Sequence, residues 1–273
     1  MEYPFDETLQ AQPAEAFDKP SPLGRWLLAG VLFMAYLPMQ VLLAIPAVAV
    51  AVAFGGLTSL EDLLESELVL WMTLGAAALA AFLTIVVALA WPWVWRLLTS
   101  RDIPLREWIA WRLPKRLPLW AVPLLTLPLL IVVGALVSLI FGPTEIEIQL
   151  QLFSTPALRV VSAIVVSTVV PVAEEFIFRG AIYSALLPPE AGEAGWRRHA
   201  LPFVVTTLLF AAVHLLAGFE TAAAIIQILI LSSFLTALRT VTGSVMPSTL
   251  AHLVWNFTAA IGLILTSVVD MPV

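Results

Sequence analysis

The stretch from Val160 to Leu187 reads VVSAIVVSTVVPVAEEFIFRGAIYSALL. It decides the fold class, because its 28 residues carry only three charges: Glu174, Glu175 and Arg179. About 20 apolar residues in a helix cross the hydrocarbon of a bilayer. This stretch is therefore long enough to span and to tilt or bend, with Pro171 as the bending point. A charge at bilayer depth costs at least about 2.5–3.5 kcal/mol. Two adjacent carboxylates there are read first as a functional site and second as a packing ion pair.

Six further stretches share the apolar character: Trp26–Phe54, Leu68–Trp95, Leu117–Phe141, Leu201–Ala217, Thr221–Leu238 and Val245–Val269. Across the 273 residues, 61% are hydrophobic and 12% charged. An ordinary soluble domain carries about 25% charged residues. The composition excludes a soluble enzyme, a disordered chain and a nucleic-acid binder. The expected fold is an all-α polytopic membrane protein of seven transmembrane helices, or eight if the first run divides at Pro38 or Pro46. A polar site lies between the helices. The absence of cysteine removes disulfides, thiolate–metal sites and a cysteine nucleophile. Residues 1–22 are polar, acidic and rich in proline, and read as a disordered cytoplasmic tail rather than a secretory signal. Residues 23–142 form an N-terminal helical set, and residues 155–270 carry the polar groups. No internal repeat is visible.

Basic and acidic connections alternate. Lys19 and Arg25 precede the first span, whereas Glu61, Asp62, Glu65 and Glu67 follow it. Arg96 to Arg116 hold six basic residues, Glu145 and Glu147 come next, and then Arg197 and Arg198, Glu220, Arg239 and Asp270. By the positive-inside rule the N-terminus is cytoplasmic and the C-terminus outside. Within Arg101–Leu113, Leu105, Trp108, Ile109 and Leu113 recur at helical spacing, which predicts an amphipathic helix lying on the cytoplasmic leaflet. His199, beside Arg197 and Arg198, is read as a solvated loop residue.

Inside the spans the acidic residues are Glu174 and Glu175, and the histidines are His214 and His252. Residues four apart share a helix face, so Glu175 can pair with Arg179 as a structural ion pair. Glu174 lies about 100° around the helix from Glu175 and faces other helices. His252 and Asn256 are also four apart, as are Phe210 and His214. Phe210 is read as a lipid or core contact that can also pack beside a site. Measured from the cytoplasmic ends of their spans, Glu174, His214 and Asn256 all fall at about 17–20 Å. There is no H-E-x-x-H and no aspartate in a span, so zincin-type and aspartyl intramembrane chemistry are excluded. Gly243-Ser244 is not read as a nucleophile. Glu174, His214 and His252 also fit zinc, with water as a fourth ligand.

The ordered set Glu174-Glu175-x-x-x-Arg179, Phe210-x-x-x-His214 and His252-x-x-x-Asn256 resembles the CAAX-protease and bacteriocin-processing (CPBP or Abi) family of intramembrane endopeptidases. That family includes the type II CAAX prenyl endopeptidases. The resemblance implies hydrolysis of a peptide bond in a membrane-associated protein or peptide. Glu174 and His214 would activate a water, and His252 and Asn256 would donate to the oxyanion. Relatives are described as metalloproteases, and the resemblance also allows a metal-free glutamate mechanism. Two alternatives come from other classes: a non-catalytic membrane immunity or scaffold protein, and a proton-coupled transporter. The lipid bilayer is the implied partner, nucleic acid is not, and the short chain and the family point to a bacterial plasma membrane.

Overall fold

The computed structural model describes residues 21–55, 66–99, 105–142, 155–188, 195–217 and 221–269. The N-terminal segment read as a tail lies outside them up to residue 20. The elements in chain order are α1 (Pro22–Gly55), α2 (Glu67–Thr99), the short α3 (Leu105–Ile109), α4 (Ala121–Phe141), α5 (Pro156–Leu186), α6 (Arg197–Leu216), α7 (Ala222–Thr242) and α8 (Met246–Val269). Among the described residues there is no strand. Five helices (α2, α4, α5, α6 and α7) are long and apolar enough to cross a membrane, and α1 adds the apolar stretch Leu23–Tyr36. The protein is an all-helical polytopic membrane protein. Helix α1 runs unbroken through Pro38 and Pro46, so the first run does not divide.

The most buried of these spans is α5. It packs against α1, α2, α6 and α8. Its apolar window is 44% buried against 17% for α4, which places α5 at the centre and α4 at the rim. Leu139 and Ile140 of α4 are correspondingly exposed and suited to lipid.

Helix α5 starts at Thr155, whose Oγ1 accepts the Leu158 N–H at 3.3 Å, with Pro156 at the first helical position. It is not a regular α-helix. Val165–Val169 and Phe176–Ile182 are π-helical, flanking the short α-helical segment that carries Glu174 and Glu175. In the first π stretch Val170 N–H bonds Val165 O. The next donor in that register belongs to Pro171, which has no N–H, so the Val166 carbonyl is left without a backbone partner. Asn256 Nδ2 donates to it at 3.0 Å.

Three sequence expectations need correction. The amphipathic helix expected over Arg101–Leu113 is described only as Leu105–Ile109, residues 100–104 lying outside the described part. It stops because Ala110 adopts φ 56°, a left-handed conformation, and accepts the Val245 N–H at 3.0 Å. Trp108 and Ile109 are buried in the protein, while Leu113 is exposed. Arg112 Nε donates to Gly243 O at 3.0 Å, and Ser244 Oγ donates to Arg112 O. The segment is thus tied to the α7–α8 turn. His199 is not a solvated loop residue: it lies in the first turn of α6, half-buried, with Nδ1 2.8 Å from Tyr183 Oη. Arg239, counted above as a loop charge, is buried in the last turn of α7.

Candidate active site

Five helices, α1, α5, α6, α7 and α8, bring polar side chains to one place. From α5, Glu174 and Glu175 are both buried. Glu175 Oε1 accepts two bonds of 3.0 Å, from Arg179 Nη1 and from His252 Nδ1 on α8. A carboxylate only accepts, so the His252 ring donates from Nδ1 and turns Nε2 the other way. Nε2 lies 3.7 Å from Glu174 Oε2. His252 therefore sits between the two carboxylates, fixed by one and facing the other. The remaining Glu174 oxygen, Oε1, accepts from Tyr36 Oη of α1 at 3.4 Å.

The neighbours of Arg179 explain its burial in a bilayer. Its Nη2 donates to Ser232 Oγ at 2.8 Å and Ser232 O at 3.2 Å, and Nε to Thr236 Oγ1 at 3.4 Å. Its guanidinium lies over the Phe210 ring, 4.3 Å from the centroid. Arg239 Nε donates to the Arg179 carbonyl at 3.0 Å and stacks its guanidinium 4.9 Å from the Tyr183 ring.

Phe210 is fully buried and links the parts. Its ring meets His214 at 4.4 Å and His252 at 5.7 Å between centroids. His214 Nδ1 lies 2.9 Å from the Phe210 carbonyl, four residues back. A carbonyl only accepts, so Nδ1 carries the proton and Nε2 is the basic nitrogen of the neutral ring. The structure thus joins Glu175, Arg179, Phe210, His214 and His252 through direct polar or ring contacts and places Glu174 3.7 Å from His252. Asn256 stands one turn beyond His252 with one amide N–H given to Val166.

Tyr36, Ser232, Thr236 and Arg239 were missed from the sequence. Ser232, Thr236 and Thr240 repeat at steps of four, and Arg239 lies three beyond Thr236, a polar stripe on a largely apolar helix. Of three tyrosines, Tyr36 and Tyr183 fall in helices, and a buried phenol needs a polar partner.

Glu174, His214 and His252 were also read as zinc ligands. Among the described residues no three histidine or acidic side chains are grouped as a metal requires. The bond from His252 Nδ1 to Glu175 Oε1 leaves Nε2 as the ring nitrogen that faces Glu174.

A helical membrane bundle with two carboxylates and one histidine buried between its helices, and a second histidine partly buried beside them, defines a membrane protein with an ionisable cluster in its interior. Residues 156–258, over a third of the chain, match the family model for type II CAAX prenyl endopeptidase, Rce1-like. This is the family that the motifs resemble, and the match supports a CAAX-type intramembrane protease in general terms. No curated protein and no solved structure matches the chain.

Proposed function

We propose that the chain is an intramembrane endopeptidase that hydrolyses a peptide bond of a membrane-associated protein or peptide with a water activated by Glu174. The observation that carries this reading is the 3.7 Å approach of Glu174 Oε2 to His252 Nε2, with His252 anchored by Glu175. That separation is beyond a direct hydrogen bond and suits a bridging water or a substrate oxygen. Glu174 takes a proton from the water, whose oxygen attacks the carbonyl carbon. His214, through Nε2, assists as a second base. His252 Nε2, in its protonated form, donates to the oxyanion. The C–N bond then breaks, and Glu174 returns the proton to the leaving nitrogen. Asn256 acts chiefly by holding α8 to the widened turn of α5, with its second amide N–H left for the substrate. The test compares peptide termini in membranes from cells with wild type and with Glu174→Ala. Cleavage products confined to wild type support the reading, and identical termini refute it.

No step above runs through a metal. Purified protein is expected to keep full activity after strong chelation and to carry substoichiometric zinc by elemental analysis. Loss of activity on chelation with recovery on adding zinc would replace the glutamate mechanism by a metal one.

The orientation proposed for a bacterial plasma membrane places the N-terminus in the cytoplasm and the C-terminus outside. Reporter fusions at residues 1–20, 100–115, 190–198 and 240–244 should read cytoplasmic. Fusions at 57–66, 144–155 and the C-terminus should read external. A cytoplasmic C-terminus would contradict this arrangement.

A further inference from the structure

We infer that Tyr36, on the N-terminal helix and outside the segment matching the family, is a positioning residue of the Glu174 site. The inference rests on the proposed endopeptidase reading and adds a helix to its machinery. Helices α1 and α5 meet along a regular seam. Leu28, Leu32 and Tyr36 are spaced by four on α1, as are Glu174, Phe178 and Ile182 on α5. Leu28, Leu32, Tyr36, Phe178 and Ile182 belong to one buried cluster. The Tyr36 and Phe178 rings meet edge to face, centroids 5.4 Å apart. Every other member of that cluster from α1 is apolar. The one hydroxyl on this face falls opposite the carboxylate of Glu174.

The chemistry follows from dividing the two oxygens. Oε1 accepts from Tyr36 at 3.4 Å, and Oε2 faces His252 at 3.7 Å. A carboxylate at bilayer depth needs donors. With one oxygen bound by a phenol from a packed helix, rotation about the last side-chain bond is restricted, and Oε2 stays aimed at His252. Tyr36 touches neither substrate nor water in this scheme. It fixes the direction from which Glu174 takes its proton. The ring packs against Phe178, so Tyr36→Phe removes the hydrogen bond without opening a cavity.

The contact and its role can be measured separately. In full-length protein with 3-fluorotyrosine at position 36 only, the fluorine resonance should move by more than its line width on Glu174→Gln. It should not move on Glu67→Gln, at the exposed start of α2. A signal unmoved by Glu174→Gln overturns the contact, whether or not the protein cleaves anything. For the role, the probe is the peptide spanning whichever cleavage site the membrane comparison identifies, assayed in liposomes. Tyr36→Phe should lower kcat about 10-fold at unchanged KM, the equivalent of one hydrogen bond to a charged group, with Tm unchanged. Combined with Glu174→Gln it should add no further loss. An unchanged kcat in Tyr36→Phe, or an equal further loss in the double variant, overturns the positioning role while leaving the endopeptidase reading intact. A wild type that produces no termini overturns both.

Discussion

Glu174→Gln is expected to reduce cleavage by about 10²–10⁴-fold, the usual cost of removing a general base, while the protein inserts, purifies and melts as wild type does. Glutamine keeps the volume and one carbonyl acceptor. The contacts it replaces are long: 3.4 Å to Tyr36 and 3.7 Å to His252. Neither is a tight ion pair, so folding depends little on the charge. The proton acceptor, by contrast, is lost entirely. Parallel measurement of cleavage rate and melting temperature separates the two effects. Full activity in Glu174→Gln would remove the proposed base.

Glu175→Ala is expected to have the opposite emphasis. Arg179 and Glu175 are both fully buried and 3.0 Å apart. Removing the carboxylate leaves a guanidinium in low dielectric without its 3.0 Å partner, held by Ser232, Thr236 and the Phe210 ring. Breaking one side of such a pair costs about 3–5 kcal/mol. Tm and expression should both fall steeply. The exchange Glu175→Arg with Arg179→Glu should recover part of that stability. It should not recover activity, because His252 Nδ1 loses the acceptor that orients its ring. A Glu175→Ala protein as stable as wild type would show that the buried pair does not stabilise the fold.

The legible parts of this molecule are those set by local sequence. Hydropathy located the long helices, and the four-residue step joined Glu175 to Arg179. The Thr155–Pro156 start was not singled out, and the end of α7 ran four residues past the expected Leu238 to a left-handed Gly243. Hydropathy averages over polar last turns such as Leu238-Arg239-Thr240, whose arginine bonds back into the bundle. The π-helical register of α5 was also hidden. It depends on which carbonyl loses a donor at Pro171 and on Asn256, 90 residues away, replacing it. Tyr36 was illegible for the same reason, since its partner lies 138 residues along the chain. The second bond of Glu175, to His252, could not be read either. Spacing within one helix reveals neighbours on that helix and nothing about which neighbouring helix faces them. The two carboxylates consequently looked separable into a chemical and a structural one, whereas His252 couples them.

The most direct test of a Glu174-activated water is to incubate liposomes holding wild type or Glu174→Gln with membrane-protein substrate in water enriched in oxygen-18, and to read the new peptide termini by mass spectrometry. The account predicts new C-termini from wild type that carry one oxygen-18 atom, and none above background from Glu174→Gln. Equal labelled termini from both proteins would contradict it.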